Sequence, residues 1–288
     1  MKPQEILKKE NLCLEDHAPP CQAACPLHID MRQIIFCIKE GKVKEAWETF
    51  AKGAILPHIL ASACNGPCIP ACWRGKIDDA LLIDGLEKSL LSQYIEENGL
   101  QTLLIEPYVS INSNLAIIGG GAAGLAAAAF LYQKGFKITL FEKNSLLLGN
   151  RQIDQRFLEA DLADLSQKID LKFNVEVGKD ISYQEILANF PGIIISGREN
   201  LQTLDLAWDE EDNPSYDKLT YQIENSQIFW AGRNREECRG EDRGISLAER
   251  FSRGKIAAIS LDRYLKKVSL TASRAKESSY QSDLYVDL

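Results

Sequence analysis

The chain has 288 residues, 45% of them hydrophobic, with a net charge of −8 and a pI near 5.1. That is enough apolar material for one or two packed domains, and the acidic balance argues against a nucleic-acid partner. No apolar run approaches the ~20 residues of a membrane span, and MKPQEILKKENLC has no apolar leader stretch. A reducing cytoplasm is therefore the expected setting, and clustered cysteines there are read as metal or redox ligands rather than disulfides.

Seven of the eight cysteines lie in the first 72 residues, and six of them fall into two sets. Cys13, Cys21 and Cys25 come first, with Pro26 directly after; Cys64, Cys68 and Cys72 follow as C-x3-C-x3-C. A run closed by Cys-Pro is a ferredoxin-like signature, whereas structural zinc usually pairs two short C-x2-4-C knuckles. The three histidines, His17, His28 and His58, form no H-x3-5-H pair. Six thiolates are too few for two all-cysteine clusters and too many for one. Either two clusters share them with other ligands, or some are bystanders.

Between the two sets the periodicity predicts two helices. Asp30 caps the first, Ile34, Ile35 and Ile38 form its apolar stripe, and Gly41 ends it. The second runs from about Val43 to Ala51, with Val43, Ala46, Trp47 and Phe50 at i, i+3, i+4, i+7 and Gly53 as its stop. Cys37 reads as a buried free thiol. A third helix is expected from Leu81 to Glu97. Residues 1–108 thus read as a small helical domain around metal clusters.

The character changes at Asn114. Leu115–Ile118 is a buried strand, Gly119, Gly121 and Gly124 match G-x-G-x-x-G, and a small-residue helix spans Ala122–Lys134. Lys137–Phe141 is a second strand with Glu142 at its end, 18 residues past Gly124. The glycines permit a tight turn and close approach to a pyrophosphate, the helix N-terminus faces its charge, and the acid accepts from a ribose hydroxyl. Further strands are expected at Phe173–Val177, Gly192–Ile195 and Ile228–Gly232. A closing helix spans Leu247–Leu265, interrupted by Gly254. This gives an α/β Rossmann-like domain with a parallel sheet over residues 109–265. Residues 266–288, rich in Ser, Lys and Asp, read as a tail that is disordered or laid on a partner.

Together these motifs resemble the family of the glutamate synthase small subunit and the N-terminal half of dihydropyrimidine dehydrogenase. CLEDHAPPCQAACP and CNGPCIPAC resemble its cysteine runs, GGGAAGL with Phe141-Glu142-Lys143 its FAD fingerprint, and IFWAG and SRGKIAA its closing elements. The resemblance covers most of residues 5–265 and implies two 4Fe–4S clusters and one FAD. It places Cys13, Cys21 and Cys72 on one cluster and Cys25, Cys64 and Cys68 on the other. Glu87 falls where the family supplies that second cluster with an oxygen ligand; taken alone, it reads as a solvated helix residue. For the dinucleotide it implies Gly119, Gly121, Ala122, Ala123, Gly124, Glu142 and Lys143, with Gly149, Arg156, Gly197, Gly232 and Arg233 further along the cofactor.

Three departures stand out. Asp16 occupies the place of a family cysteine, so the first cluster takes an Asp16 oxygen, takes His17, or is 3Fe–4S; Asp16 is the preferred reading. Only residues 198–228 separate Gly197 from Phe229, where the family inserts a whole NAD(P)H-binding domain. Gly232-Arg233 replaces the family's Gly-Asp at the flavin's ribityl chain. The resulting expectation is an electron-transfer subunit that relays electrons between partner subunits or a ferredoxin-like protein, with no catalytic acid, base or nucleophile. The rival is a non-catalytic assembly subunit without working flavin; a stand-alone NAD(P)H oxidoreductase is disfavoured.

Overall fold

The computed structural model describes residues 18–101, 106–148, 153–198, 201, 206–210, 213–234 and 245–282. The chain divides into two compact units, one of residues 1–103, 153–160 and 275–288, the other of residues 104–152 and 161–274.

The first unit is helical: α1 (Pro20–Ala24), α2 (Met31–Lys39), α3 (Val43–Gly53), α4 (Pro57–Ala63) and α5 (Ile83–Asn98), with 3-10 turns at Ile69–Ala71 and Trp73–Lys76. Asp30 caps α2 by accepting from Gln33 N at 3.1 Å, and Gly41 leaves the helix at φ +71°, both as the sequence predicts. On α3, Val43, Ala46, Trp47 and Phe50 are all buried. Trp47 stacks on Phe50 and on Tyr94 of α5, at centroid distances of 5.4 and 5.0 Å. The short α1 and α4 escape the periodicity argument; each begins at a proline, which suits the first helical turn.

The second unit is built on a five-stranded parallel sheet in the order β3-β2-β1-β4-β5. Its strands are β1 (Ile111–Ile118), β2 (Phe136–Glu142), β3 (Asp170–Phe173), β4 (Ile193–Ile195) and β5 (Ile228–Trp230). Helices α6 (Ala122–Gln133), α7 (Gln155–Lys168), α8 (Tyr183–Asn189) and α9 (Leu247–Leu265) complete the element order. Side chains alternate across the sheet. Ala116, Ile118, Phe141, Ile193, Ile195, Ile228 and Trp230 join one cluster with Tyr183 and Ile186 of α8. Leu115, Ile117, Leu140, Ile194 and Phe229 are buried on the opposite face, where Phe229 meets Tyr264 of α9 edge-on at 5.9 Å.

Helix α6 is apolar all round and buried nearly throughout, as expected of a helix enclosed on every side. Gly254 does not interrupt α9, contrary to the sequence expectation. It is the point where α9 crosses α6: a Cβ there would lie 2.0 Å from the Ala123 carbonyl oxygen.

Two other expectations change. The third strand lies at Asp170–Phe173, not 173–177, because Asn174 takes φ +57° and ends it. It is an edge strand with little buried surface, which weakens its apolar signal. The tail does not lie free where it is described. Tyr280 N donates to Ala23 O at 2.9 Å, Tyr280 packs edge-on against His28, and His28 Nε2 bonds to Ser278 O at 2.9 Å, so this stretch lies on the chain's own helical unit.

Just before it, Arg274 is 2% exposed and bonds to Ser260 Oγ, Leu270 O and Ile256 O. Arg274→Ala removes these charge-assisted bonds and leaves a cavity against α9. We expect a loss of about 2–4 kcal/mol in urea unfolding; a change within experimental error would make the staple incidental.

Candidate functional site

In the helical unit the second cysteine set is built around buried sulfur. Cys25 caps the C-terminus of α1, Cys64 that of α4, and Cys68 and Cys72 flank the 3-10 turn Ile69–Ala71. Cys25, Cys64 and Cys68 are buried, whereas Cys21 and Cys72 are half-buried. Glu87 lies on the buried face of α5 with Ile83, Leu90, Leu91 and Tyr94, and is 4% exposed.

The electrostatics join these four groups. Burial raises the Cys25, Cys64 and Cys68 thiols, and the nearby Glu87 charge raises each further. Glu87 is hydrogen-bonded to Cys64, and burial pushes its own carboxyl up to about 7. Its Oε2 is buried with no hydrogen-bond partner among the described residues. Against these penalties, the backbone N–H groups of Ile29, Leu27 and His28 donate to Cys25, and that of Gly66 to Cys64. His28 at φ +56° turns successive amides the same way, which makes an anion-binding concavity.

Buried thiols lose their protons only against this penalty, which a cationic cluster offsets; with the orphaned carboxylate oxygen of Glu87 they fit a cluster that takes thiolates and one oxygen. Among the described residues, no three His, Cys, Asp or Glu side chains converge as a single metal ion needs. A cluster spreads its ligands over several irons, whereas structural zinc gathers them tetrahedrally on one point. Cys13, Asp16 and His17 lie outside the described residues, so of the ligands the resemblance implies for the first cluster only Cys21 and Cys72 are seen.

In the sheet unit the glycine turn opens a cavity of about 420 Å³ at the C-terminal ends of the strands. Gly119 turns at φ +100°, and a Cβ on Gly124 would lie 2.0 Å from Gly119 O, so the start of α6 sits directly against the turn. A Cβ on Gly121 would meet nothing within 4 Å, and Gly121 lines the cavity. That open space beside the helix N-terminus is what a pyrophosphate requires. Ser196 Oγ fixes the turn by donating to Gly119 O at 2.7 Å.

Glu142 ends β2 at the cavity wall. Its Oε2 accepts from Gly120 N at 2.6 Å, and Oε1 accepts from Asn144 N and Nδ2 at 2.9 and 2.8 Å. With two lone pairs on each oxygen, Oε2 keeps room for a ribose hydroxyl. Ala122, Ala123, Lys143, Gly197 and Arg233 also line the cavity, and Gly232 lies buried beside it. Gly149 is outside the described residues. Arg156 lies exposed in the other unit, with Asp154 bonded to it through both carboxylate oxygens.

Three further arginines line the cavity that sequence reasoning did not single out: Arg198, Arg250 and Arg253. They come from the end of β4 and from α9, so only the fold gathers them. Between Gly197 and Phe229, the described residues 206–210 and 213–227 form turns and isolated bridges, Trp208 to Pro214 and Gln222 to Phe229. No described helix is long and apolar enough to cross a membrane.

Two family models match parts of the chain. Residues 1–99 match the family dihydropyrimidine dehydrogenase domain II, 4Fe–4S cluster, and residues 117–153 match the NAD(P)-binding Rossmann-like domain. The NADPH-Fe(3+) oxidoreductase subunit beta of Geobacter sulfurreducens is 28% identical over 193 residues, covering 64% of this chain and 28% of that protein. The glutamate synthase [NADPH] small chain of Mycobacterium tuberculosis is 25% identical over 202 residues, covering 67% and 41%. The NAD-dependent dihydropyrimidine dehydrogenase subunit PreT of Escherichia coli O157:H7 is 27% identical over 204 residues, covering 67% and 49%. The chain thus spans between about a quarter and a half of the length of these relatives. The chain is similar to the glutamate synthase small chains and, over residues 1–99, to the 4Fe–4S domain of dihydropyrimidine dehydrogenase.

Proposed function

We propose that this chain is an electron-transfer subunit of a larger oxidoreductase, with two 4Fe–4S clusters in its helical unit and one FAD in its sheet unit. The observation that carries the reading is the buried set Cys25, Cys64, Cys68 and Glu87, three sulfurs and one carboxylate gathered as a thiolate-and-oxygen ligand set for a cluster would be. When bound, the cofactors supply the electron chemistry, and the chain supplies position and electrostatics.

Cys25, Cys64, Cys68 and Glu87 hold one cluster; Cys13, Cys21 and Cys72, with Asp16 in place of a fourth cysteine, hold the other. Gly119, Gly121 and the N-terminal amides of α6 face the pyrophosphate, and Glu142 accepts from the ribose. The Rossmann match covers the first strand–helix–strand unit, a geometry shared by FAD and nicotinamide nucleotides. FAD is preferred because the relation to the glutamate synthase small chains rests on the fingerprint that serves FAD there. The described residues of 198–228 form no βαβ unit, so we assign no nicotinamide domain between β4 and β5. Other subunits, and a ferredoxin-like protein, are the partners this arrangement suits, and the cytoplasm its setting.

The test is anaerobic mixing with NADH and NADPH while flavin absorbance is followed. The isolated chain is expected to stay oxidised and to bleach only with a co-purifying partner. Rapid bleaching of the isolated chain defeats the relay reading. Clusters without any flavin favour the assembly-subunit alternative.

A further inference from the structure

The nucleotide cavity concentrates positive charge in an acidic chain. Among the described residues, Lys143, Arg198, Arg233, Arg250 and Arg253 line it, against two carboxylates, Glu142 and Glu176. Glu142 is already bonded to Gly120 and Asn144. A net charge of −8 makes such a gathering of cations unlike the rest of the molecule.

The arginines share one end. Glu142 ends β2, the glycine turn follows β1, Arg198 follows β4, Arg233 follows β5, and Arg250 and Arg253 stand one turn apart on α9. Since the sheet order is β2-β1-β4-β5 across this region, the lining runs in one direction from ribose acceptor to glycine turn to arginines. Adjacent strands are about 5 Å apart, so the ends of β4 and β5 lie about 5 and 10 Å past the turn. That is the reach of whatever is attached to the far side of a pyrophosphate.

The arginines are arranged for a ligand. Arg250 Nε is buried with no hydrogen-bond partner among the described residues. Burial, and then the charge of Arg253, lowers the pKa of Arg250. Two neighbouring guanidiniums repel, and an anion between them turns that penalty into paired charge-assisted bonds. Their neighbours are held in place: Arg198 Nη1 donates to Asn213 Oδ1 at 2.8 Å and to Arg233 O at 3.2 Å, and Arg253 Nη1 to Gly232 O at 3.0 Å. These acceptors orient the guanidiniums.

We propose that the β4–β5 end of the cavity is an anion site, and that the chain takes an adenine nucleotide bearing negative charge beyond its pyrophosphate. Two sources share that chemistry: the reduced, anionic flavin ring of FAD, and the terminal phosphate of a nucleoside triphosphate. The inference rests on the nucleotide reading of the cavity above, though not on FAD as its occupant.

The experiment compares the full chain with Arg250→Gln/Arg253→Gln and with Arg233→Gln, which alters an exposed side chain and decides if the double variant does not fold. One arm measures the affinity of reduced against oxidised FAD, the other ATP against ADP by calorimetry. In at least one arm the more negative ligand is expected to bind about tenfold tighter, which for the two-electron flavin couple is an upward shift of about 30 mV. That preference falls at least threefold in the variants. Preferences below threefold in both arms, or a preference untouched by the substitutions, overturn the site. An arginine-dependent ATP preference without FAD binding keeps the anion site and removes the FAD reading; FAD binding without either preference does the reverse. Failure to bind any of the four ligands removes both.

Discussion

Cys68→Ala, made in the full chain and purified anaerobically, is expected to lose one cluster and to destabilise the helical unit. Cys25, Cys64 and Cys68 are 7%, 6% and 5% exposed, and they come from the ends of α1 and α4 and from the 3-10 turn, with Glu87 on α5 as the proposed fourth donor. No one of these elements is long; α1 has five residues and α4 seven. Helices of that length do not persist alone, so the proposed cluster would tie the elements together and its binding energy would be folding energy. Iron is expected to fall to about half of an initial content near eight atoms. Stability of this unit is expected to fall by more than about 4 kcal/mol, read as lost helical dichroism and a lower urea midpoint. Glu87→Gln keeps an oxygen donor and is expected to retain iron while changing the paramagnetic signal of one cluster only. Full iron content in Cys68→Ala takes this cysteine out of the ligand set, and one equivalent of zinc in place of iron overturns the cluster assignment altogether.

The Glu87 position also shows what the sequence held. On α5 the buried residues are Ile83, Glu87, Leu90, Leu91 and Tyr94, an i, i+4, i+7, i+8, i+11 stripe with a carboxylate in its middle. Read by itself Glu87 looked solvated, yet the register already put it on the apolar face, where an acid needs a reason. The Asp30 cap, the α3 stripe, the glycine turn and the β1–α6–β2 unit were legible for the same reason: each signal is local, written within a dozen residues or so. The β3 edge strand was misplaced because its residues bury too little surface to impose a pattern. The tail was misjudged because its anchors are a backbone amide, one tyrosine and a histidine ring, which composition does not reveal. Arg198, Arg250 and Arg253 were invisible until parallel strands and a closing helix brought separate segments to one cavity.

The two glycines of the turn separate binding from folding, and we expect opposite phenotypes from them. Gly121 has φ −76° and ψ 180°, backbone that any residue adopts, and the space about its absent Cβ is open. Gly121→Val is therefore expected to fold normally, with nucleotide-free melting within about 2 °C of the parent. Its side chain projects where the pyrophosphate must approach, so nucleotide affinity is expected to fall by about 100-fold or more, equal to about 3 kcal/mol. At Gly124 an added methyl would lie 2.0 Å from Gly119 O and 2.7 Å from Ser196 Oγ. The nearer atom is backbone in a turn that Ser196 itself fixes, so the start of α6 must move. Gly124→Ala is expected to cost about 3 kcal/mol of stability even without ligand, at the upper end of overpacking penalties because no flexible side chain can yield. Both proteins bind nucleotide poorly, and only the melting of the nucleotide-free chain tells them apart. If Gly121→Val binds nucleotide as the parent does, the ligand does not cross the turn and the cavity loses its dinucleotide reading. If Gly124→Ala is as stable as the parent, the contact between α6 and the turn is looser than these distances require, and the turn is not what holds the helix N-terminus on the cavity.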